Sequence, residues 1–418
     1  MKINDILKEQ IELIKPSLET QDKINKTTKE FMSYLDKNLK KNKMKADVFL
    51  GGSVAKSTLI KKEIYDVDIF IRFENSKDMG KLHKILKKAK KVHGSRDYYQ
   101  LEVSGVVMEI IPVLKIKKPE QAENVTDLSY FHVKYVLDKI KKNKRLADEI
   151  RLAKTFCHAN NCYGAESYIH GFSGYALELL ICHYKSFLSF IKAIAKINID
   201  KKEKLVIDDS KFYLGKNIIY ELNEAKTQSP IILVDPTFKE RNALAGLNHE
   251  TFFHFQKTCK EFLRKPSKGY FINKDIHEEL TKKYQNKLKI VSVKTSKQAG
   301  DISGSKSLKF FYFFVDRLNR EFIVKVSEFN YNDEKNTAYF YLVLDKKRDE
   351  IRKGPKVVDV NNLTRFKKIH KNAFIKNNVA YAKINHNLSF EKWLKEFNKK
   401  EKEIIKQMSV KKIDLNNI

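Results

Sequence analysis

Apolar residues recur at helical spacing through residues 3–42, with one break at Pro16, and then the period changes. Residues 46–50 read as a strand that leads into Gly51-Gly52-Ser53 and a short helix over 54–59, with Ser53 near its N-cap. A strand follows at 66–73, then a predicted helix at 77–91. Runs at 98–104 and 106–114 alternate like strands and turn around Gly105, a hairpin signal. Residues 127–195 return to helical spacing, with helices predicted near 130–142, 145–161 and 173–195. A short strand pair, 204–207 and 229–234, ends at the turn Asp235-Pro236, and Asn248 caps a helix over 248–263. After Pro266 the character changes. Strands rich in Val, Phe and Tyr are predicted at 288–293, 322–329 and 337–344, with a helix near 305–320. Within that helix the aromatic run 310–314 reads as core, and residues 345–371 are dense in Lys and Arg.

This pattern places chemistry at one point. Asp66 and Asp68 stand two apart on a strand, so both side chains leave the same face. Two carboxylates so close repel one another unless a cation sits between them. Upstream, Gly51-Gly52-Ser53 opens a helix whose free backbone N–H groups suit a phosphate. Either motif alone is common on ordinary strand ends and turns. Together they describe what nucleotidyl transfer needs: a cradle for a triphosphate facing carboxylates that hold divalent metal. A third carboxylate, Glu109, interrupts the apolar run VVMEIIPV, where an unpaired charge is costly. It either pairs with a buried cation or completes a metal triad with Asp66 and Asp68.

Composition narrows the partner. The chain has 418 residues, enough for several domains, and 42% hydrophobic residues, enough for real cores. Its 83 basic and 52 acidic residues give a formal charge of +31, which points to a polyanion such as nucleic acid. Lys far outnumbers Arg, so a proteome-wide Lys bias is the competing explanation. Cys157, Cys162, Cys182 and Cys259 lack zinc-like pairing and read as reduced thiols of a cytoplasmic protein. The N-terminus has no signal-peptide core. The longest apolar stretch, 175–195, is interrupted by Glu178, His183, Lys185 and Lys192, which excludes a membrane span.

These residues resemble the archaeal-type, or class I, CCA-adding enzymes, tRNA nucleotidyltransferases of the polymerase-beta-like superfamily. The resemblance is strongest from about 46 to 270. Its superfamily part is Gly52-Ser53, Asp66-Val67-Asp68 and Glu109 before Ile-Ile-Pro. Its family part is Phe131-His132, Arg151-Leu152-Ala153-Lys154, Tyr163-Gly164-Ala165-Glu166, Gly171-Phe172-Ser173-Gly174-Tyr175, and Val234-Asp235-Pro236 followed by Arg241-Asn242. The resemblance implies an α+β chain: a polymerase-beta-like nucleotidyltransferase head (mixed sheet with helices) over 1–140, a helical, nucleotide-binding neck over 141–265, and a mixed α/β body and tail, tRNA-binding, over 266–418. It implies Mg²⁺ on Asp66, Asp68 and Glu109, with Gly52, Ser53, Lys56, His132, Lys154 and Tyr163 holding the incoming nucleotide. Arg241 would help to read its base. Glu109 stands where the family usually has Asp, and Lys56 where an Arg is common, which removes a bidentate phosphate contact. Beyond about residue 285 the match is weak apart from Gly354-Pro355.

The implied activity is template-independent addition of CCA to the 3′ end of tRNA from CTP and ATP, with release of pyrophosphate. The implied partner is the acceptor stem and TΨC arm of tRNA, held by shape and backbone as A-form RNA is. A homodimer is compatible with this, and no membrane is involved. Two alternatives share the same head: a poly(A)- or oligoadenylate-type nucleotidyltransferase, and a non-catalytic tRNA-binding protein.

Overall fold

The computed structural model describes residues 2–94, 96–198, 204–297 and 300–416. The chain forms two compact units, Met1–Asn273 and Lys274–Ile418.

In the first unit, α1 (Ile3–Ile14) and α2 (Leu18–Lys41) flank Pro16, and the Ser17 hydroxyl accepts from the Thr20 N–H to start α2. Then come β1 (Ala46–Leu50), the single turn α3 (Gly52–Ala55), β2 (Tyr65–Phe73), the single turn α4 (Ser76–Met79), β3 (Lys90–Val92), β4 (Tyr98–Val103) and β5 (Val106–Leu114). The sheet order is β1-β2-β5-β4-β3. Its central pair, β2 and β5, runs parallel, and the other pairs are antiparallel. Val67, Ile69, Met108 and Ile110 pack on Ile24, Phe31, Leu35 and Leu39 of α2. That packing fixes the sheet's buried face, so the alternate residues of β2 and β5 must face the other way.

Two elements around this sheet differ from expectation. The helix expected over 54–59 is only the turn Gly52–Ala55, so Ser53 lies inside it and Gly51 precedes it. The helix expected over 77–91 is a turn of α-helix, a 3₁₀ turn (Gly80–Lys84) and the edge strand β3. Leu82, Ile85 and Leu86 are buried as a helix would bury them, but tight turns beside Gly80 achieve it.

The chain continues through α5 (Ser129–Lys142), α6 (Leu146–Ala159), α7 (Gly174–Tyr184) and α8 (Phe187–Lys196). Next are β6 (Leu205–Ile207), the turn α9 (Ile218–Glu221), the hairpin β7 (Ile231–Asp235) and β8 (Phe238–Asn242), and α10 (His249–Arg264). Asn248 caps α10 through the Thr251 N–H. Phe156, Phe172, Phe187, Phe190, Phe252, Phe255 and Phe262 fill the core between these helices. The single helix expected over 173–195 is two. Lys185 takes a left-handed conformation (φ 68°) and Ser186 caps the second.

The second unit comprises α11 (Ile276–Tyr284), β9 (Leu288–Thr295), α12 (Asp301–Leu318), β10 (Phe322–Asn332), β11 (Thr337–Lys346), β12 (Glu350–Lys356), α13 (Val360–Ile369), β13 (Ala373–Lys376), β14 (Val379–Ile384), α14 (Phe390–Lys400), α15 (Lys402–Gln407) and β15 (Val410–Asn416). One antiparallel sheet, β10-β11-β9-β15, carries α12 on one face, where Phe310 and Phe314 meet Phe340 and Phe397. Leu280 of α11 packs with Leu288 and Ile290. The aromatic run is core as expected, apart from the exposed Tyr312 and the half-buried Phe313. A smaller sheet, β12-β14-β13, holds the basic segment.

Candidate active site

Strand β2 alternates buried and half-open positions, and Asp66 and Asp68 take two of the half-open ones. In the parallel ladder Asp68 stands opposite Glu109, and Asp66 opposite Val107. The three carboxylates therefore share the face away from α2. Asp66 binds Lys62 (2.8 Å), and Glu109 accepts from Gln100 across the β4–β5 pair (2.8 Å). Gly51 N–H donates to the Asp68 carbonyl (2.8 Å), which draws the turn of α3 down onto β2. Gly52 is left-handed (φ 60°), and a Cβ there would stand 1.7 Å from Asp68 Oδ2. Only glycine lets the turn approach this carboxylate.

The electrostatics are those of carboxylates short of positive charge. Burial raises the Asp68 pKa, and Asp66 raises it further, against the pull of Lys56, Lys154 and Lys62. Burial pushes Glu109 up to about 7, opposed by its hydrogen bond from Gln100 and reinforced by Asp68 and Asp66. Among the described residues no group of three or more His, Cys, Asp or Glu side chains is close enough to form a ready-made metal cage. The donor set still fits a hard cation. Mg²⁺ characteristically takes one or two carboxylates together with substrate phosphates and water, without needing a closed protein cage.

Beside the carboxylates lies a cationic cluster. Lys56, which ends α3, and Lys154, on α6, both point at Glu178 on α7. Lys56 Nζ is 2.6 Å from Glu178 Oε2, and Lys154 Nζ is 2.9 Å from Oε1. Lys154 also lies 3.3 Å from the Thr58 hydroxyl. Burial raises the Glu178 pKa, but the two ammonium groups outweigh it and bring the pKa below its ordinary value. Arg151, one turn before Lys154, donates to the carbonyls of Ser57 and Leu59 and binds Asp148. This guanidinium fixes the loop after α3 to α6. Ser53 sits at the second position of α3, its carbonyl accepting from Thr58 N–H (2.9 Å).

A third cluster is organised by Asp235, fully buried at the end of β7. It accepts from Tyr175 OH (2.9 Å), from Arg241 Nη1 (2.7 Å), and from the Thr237 N–H and hydroxyl. His132 Nε2 lies 3.0 Å from Asp235 Oδ2. The His132 ring stacks on Tyr175 at 4.0 Å. Burial lowers the His132 pKa, Asp235 raises it, and Arg241 and Lys56 lower it. Tyr163 stacks on His158 at 3.7 Å. A Cβ on Gly174 would meet the Tyr163 hydroxyl at 2.7 Å and Lys154 Cε at 3.8 Å.

The charge on Lys56 acts on both Asp68 and His132, so Lys56 links the carboxylates electrostatically to the Asp235 cluster. Gly52, Ser53, Lys56, Asp66, Asp68, Glu109, His132, Lys154, Tyr163 and Arg241 all lie in the first unit. Sequence reasoning missed Glu178 and the hub role of Asp235. Glu178 was visible only as an acid interrupting an apolar helix, and Asp235 only as a turn residue and part of the Val234-Asp235-Pro236 motif.

A parallel β2–β5 pair with carboxylates on one face, a glycine turn against them and a helical layer bearing lysines define a polymerase-beta-like nucleotidyltransferase. The nucleotidyltransferase domain family matches residues 31–132, and the family of the second domain of tRNA nucleotidyltransferases matches residues 148–272. A solved cytoplasmic RNA terminal U-transferase has the same fold, with a TM-score of 0.50 and 13% identity over 66% of this chain and 99% of its own. A CCA-adding enzyme of Nanoarchaeum equitans is 35% identical over 329 residues, 76% of this chain and 78% of that one. One of Methanocaldococcus jannaschii is 29% identical over 403 residues, 91% and 87%. The chain belongs to the family of CCA-adding enzymes.

Proposed function

We propose that this chain builds or repairs the 3′-terminal CCA of tRNA from CTP and ATP. Membership of the family supplies the reaction class: a nucleotide is transferred to the tRNA 3′ end. The 3′ oxygen attacks the α-phosphorus, the bond to the β-phosphate oxygen breaks, and pyrophosphate leaves. The observation that carries the residue assignments is the juxtaposition of Asp68, under the Gly52 turn, with Lys56 and Lys154.

In this reading Asp66 and Asp68, with Glu109 beside them, would hold Mg²⁺, which would supply Lewis-acid stabilisation of the reacting phosphoryl oxygens and a lower pKa for the attacking hydroxyl. Ser53, Lys56, Lys154 and His132 hold the triphosphate. The lysines offset charge that develops on the departing pyrophosphate. Tyr163 lies along the ribose. Arg241, held by Asp235, presents its remaining N–H groups to base acceptors that differ between C, A, U and G.

The same proposal assigns 1–140 as the catalytic head, 141–265 as the nucleotide-binding neck and 266–418 as the body and tail that bind the acceptor stem and TΨC arm. The +31 charge supports an RNA partner. Four buried free thiols suit the cytoplasm. No helix among the described residues is long and apolar enough to cross a membrane.

The test is incubation of the protein with tRNA lacking its last three nucleotides, with each nucleotide separately and then together. The expected products are two additions with CTP alone, one further addition with CTP and ATP, and none with UTP or GTP. Long A-tails would assign a poly(A)-type activity instead.

A further inference from the structure

Glu178 is 1% exposed, in the middle of an otherwise apolar helix. Each of its carboxylate oxygens meets a different lysine, and those lysines are themselves only 7% (Lys56) and 5% (Lys154) exposed. One anion shared by two buried cations leaves a net positive charge inside the protein. Such an excess is costly where solvent cannot reach it, unless a further anion completes the set. A further acid acted on by both lysines is Asp68, which already shares its face with Asp66 and Glu109. The cluster therefore has room in its charge balance for an anionic ligand.

Geometry says what the carboxylate does there. Lys56 arrives from the end of α3 and Lys154 from α6, two separate elements. Without an anion between them the two groups would repel and turn apart. With Glu178 between them, both are drawn to opposite oxygens of one rigid group, and Thr58 adds a contact to Lys154. Lysine is a flexible donor whose ordering costs entropy on binding, and holding it in place beforehand lowers that cost.

We infer that Glu178 is a positioning residue for the nucleotide triphosphate, holding Lys56 and Lys154 as one preformed cationic pair. This rests on the reading that these lysines bind the triphosphate. Glu178 touches neither substrate nor the reacting atoms. It acts on nucleotide affinity rather than on the bond-making step.

The experiment is steady-state CTP addition to tRNA lacking its terminal CCA, with kcat and the KM values for CTP and for tRNA measured separately. Glu178→Gln keeps the shape and removes the charge. It is expected to raise the CTP KM by roughly 10-fold or more, the scale of lost charged hydrogen bonds, while kcat and the tRNA KM stay near wild type. Glu178→Asp keeps the charge but is too short to reach both lysines, and is expected to fall between. A folded Glu178→Gln enzyme with a wild-type CTP KM, or with a loss confined to kcat, overturns the inference. If melting shows that Glu178→Gln does not fold, the Asp variant decides, and a wild-type CTP KM there overturns it. Lys154→Met is measured in parallel. An unchanged CTP KM in that variant removes the triphosphate reading itself. A raised KM there beside an unchanged one in the Glu178 variants removes only the role of Glu178.

Discussion

Asp68 on β2 and Glu109 on β5 are direct partners across a parallel ladder, so their carboxylates leave the sheet side by side. The opposite face of both strands is locked into the core by Val67, Ile69, Met108 and Ile110. A slip of one residue would bury the acids and expose the core, so the register is strongly specified. Burial, reinforced by the charges on Asp68 and Asp66, pushes the Glu109 pKa up to about 7.

That proton gives a stability signature in the metal-free protein. The folded pKa, about 7, lies above the ordinary 4.5. The native state thus binds more protons between these values, and stability falls as pH rises through that window. Glu109→Gln removes the titration. In chelator it should melt higher than wild type at pH 8, with the gap closing as pH falls towards 4.5. A gap of equal size at pH 5 and pH 8 would show that Glu109 ionisation is not strained.

Gly52→Ala should cost activity more than fold. Its Cβ would stand 1.7 Å from Asp68 Oδ2 on a left-handed backbone, forcing the carboxylate or the turn to move. The left-handed conformation alone costs roughly 1–2 kcal/mol for a side-chain-bearing residue. Incorporation should drop by about 100-fold or more, as small misplacements of reacting groups do. Single-turnover rates and melting curves measure the two effects, and a variant with wild-type turnover would contradict the close approach.

Arg241→Ala should lower use of CTP and ATP and weaken discrimination against UTP and GTP. Asp235 would keep its bonds from Tyr175 and Thr237 but lose its paired cation, and breaking a buried pair costs about 3–5 kcal/mol, so the variant should also melt lower. Asp235→Asn weakens the acceptor shared by Arg241, Tyr175 and Thr237 and should disturb nucleotide use as well. Incorporation of all four nucleotides, beside denaturant melts, checks both variants; wild-type stability of Asp235→Asn would refute the hub role.

Binding to tRNA should weaken steeply with salt. A protein that neutralises several phosphates loses about 10³-fold or more in affinity between 50 and 200 mM salt. Titrations across that range give the slope, and a flat line would reduce the +31 charge to a Lys-rich composition.

Legibility followed the range of the interactions. The acids of β2 were visible because a strand's period is two, and the β4–β5 hairpin because Ser104 and Gly105, both left-handed, form its turn. Asn248 announced α10 through a local cap. Glu178 was not legible as a clamp because its lysines lie 122 and 24 residues away. Lys185 broke a predicted helix in a conformation that non-glycine residues rarely adopt. Leu82, Ile85 and Leu86 had a helix's spacing but were buried by turns. Strand β15 escaped notice because charges crowd its exposed positions, and only its pairing with β9 makes it a strand.

The central claim is that the carboxylate face of β2 carries nucleotidyl transfer to tRNA. It is tested most directly by CTP incorporation into tRNA lacking its CCA, measured beside tRNA binding for wild type and Asp68→Ala. The account predicts that incorporation with Mg²⁺ is abolished in the variant while tRNA affinity is retained, because the proposed role of Asp68 is to hold the metal and not the RNA. Near-wild-type turnover by Asp68→Ala would contradict it.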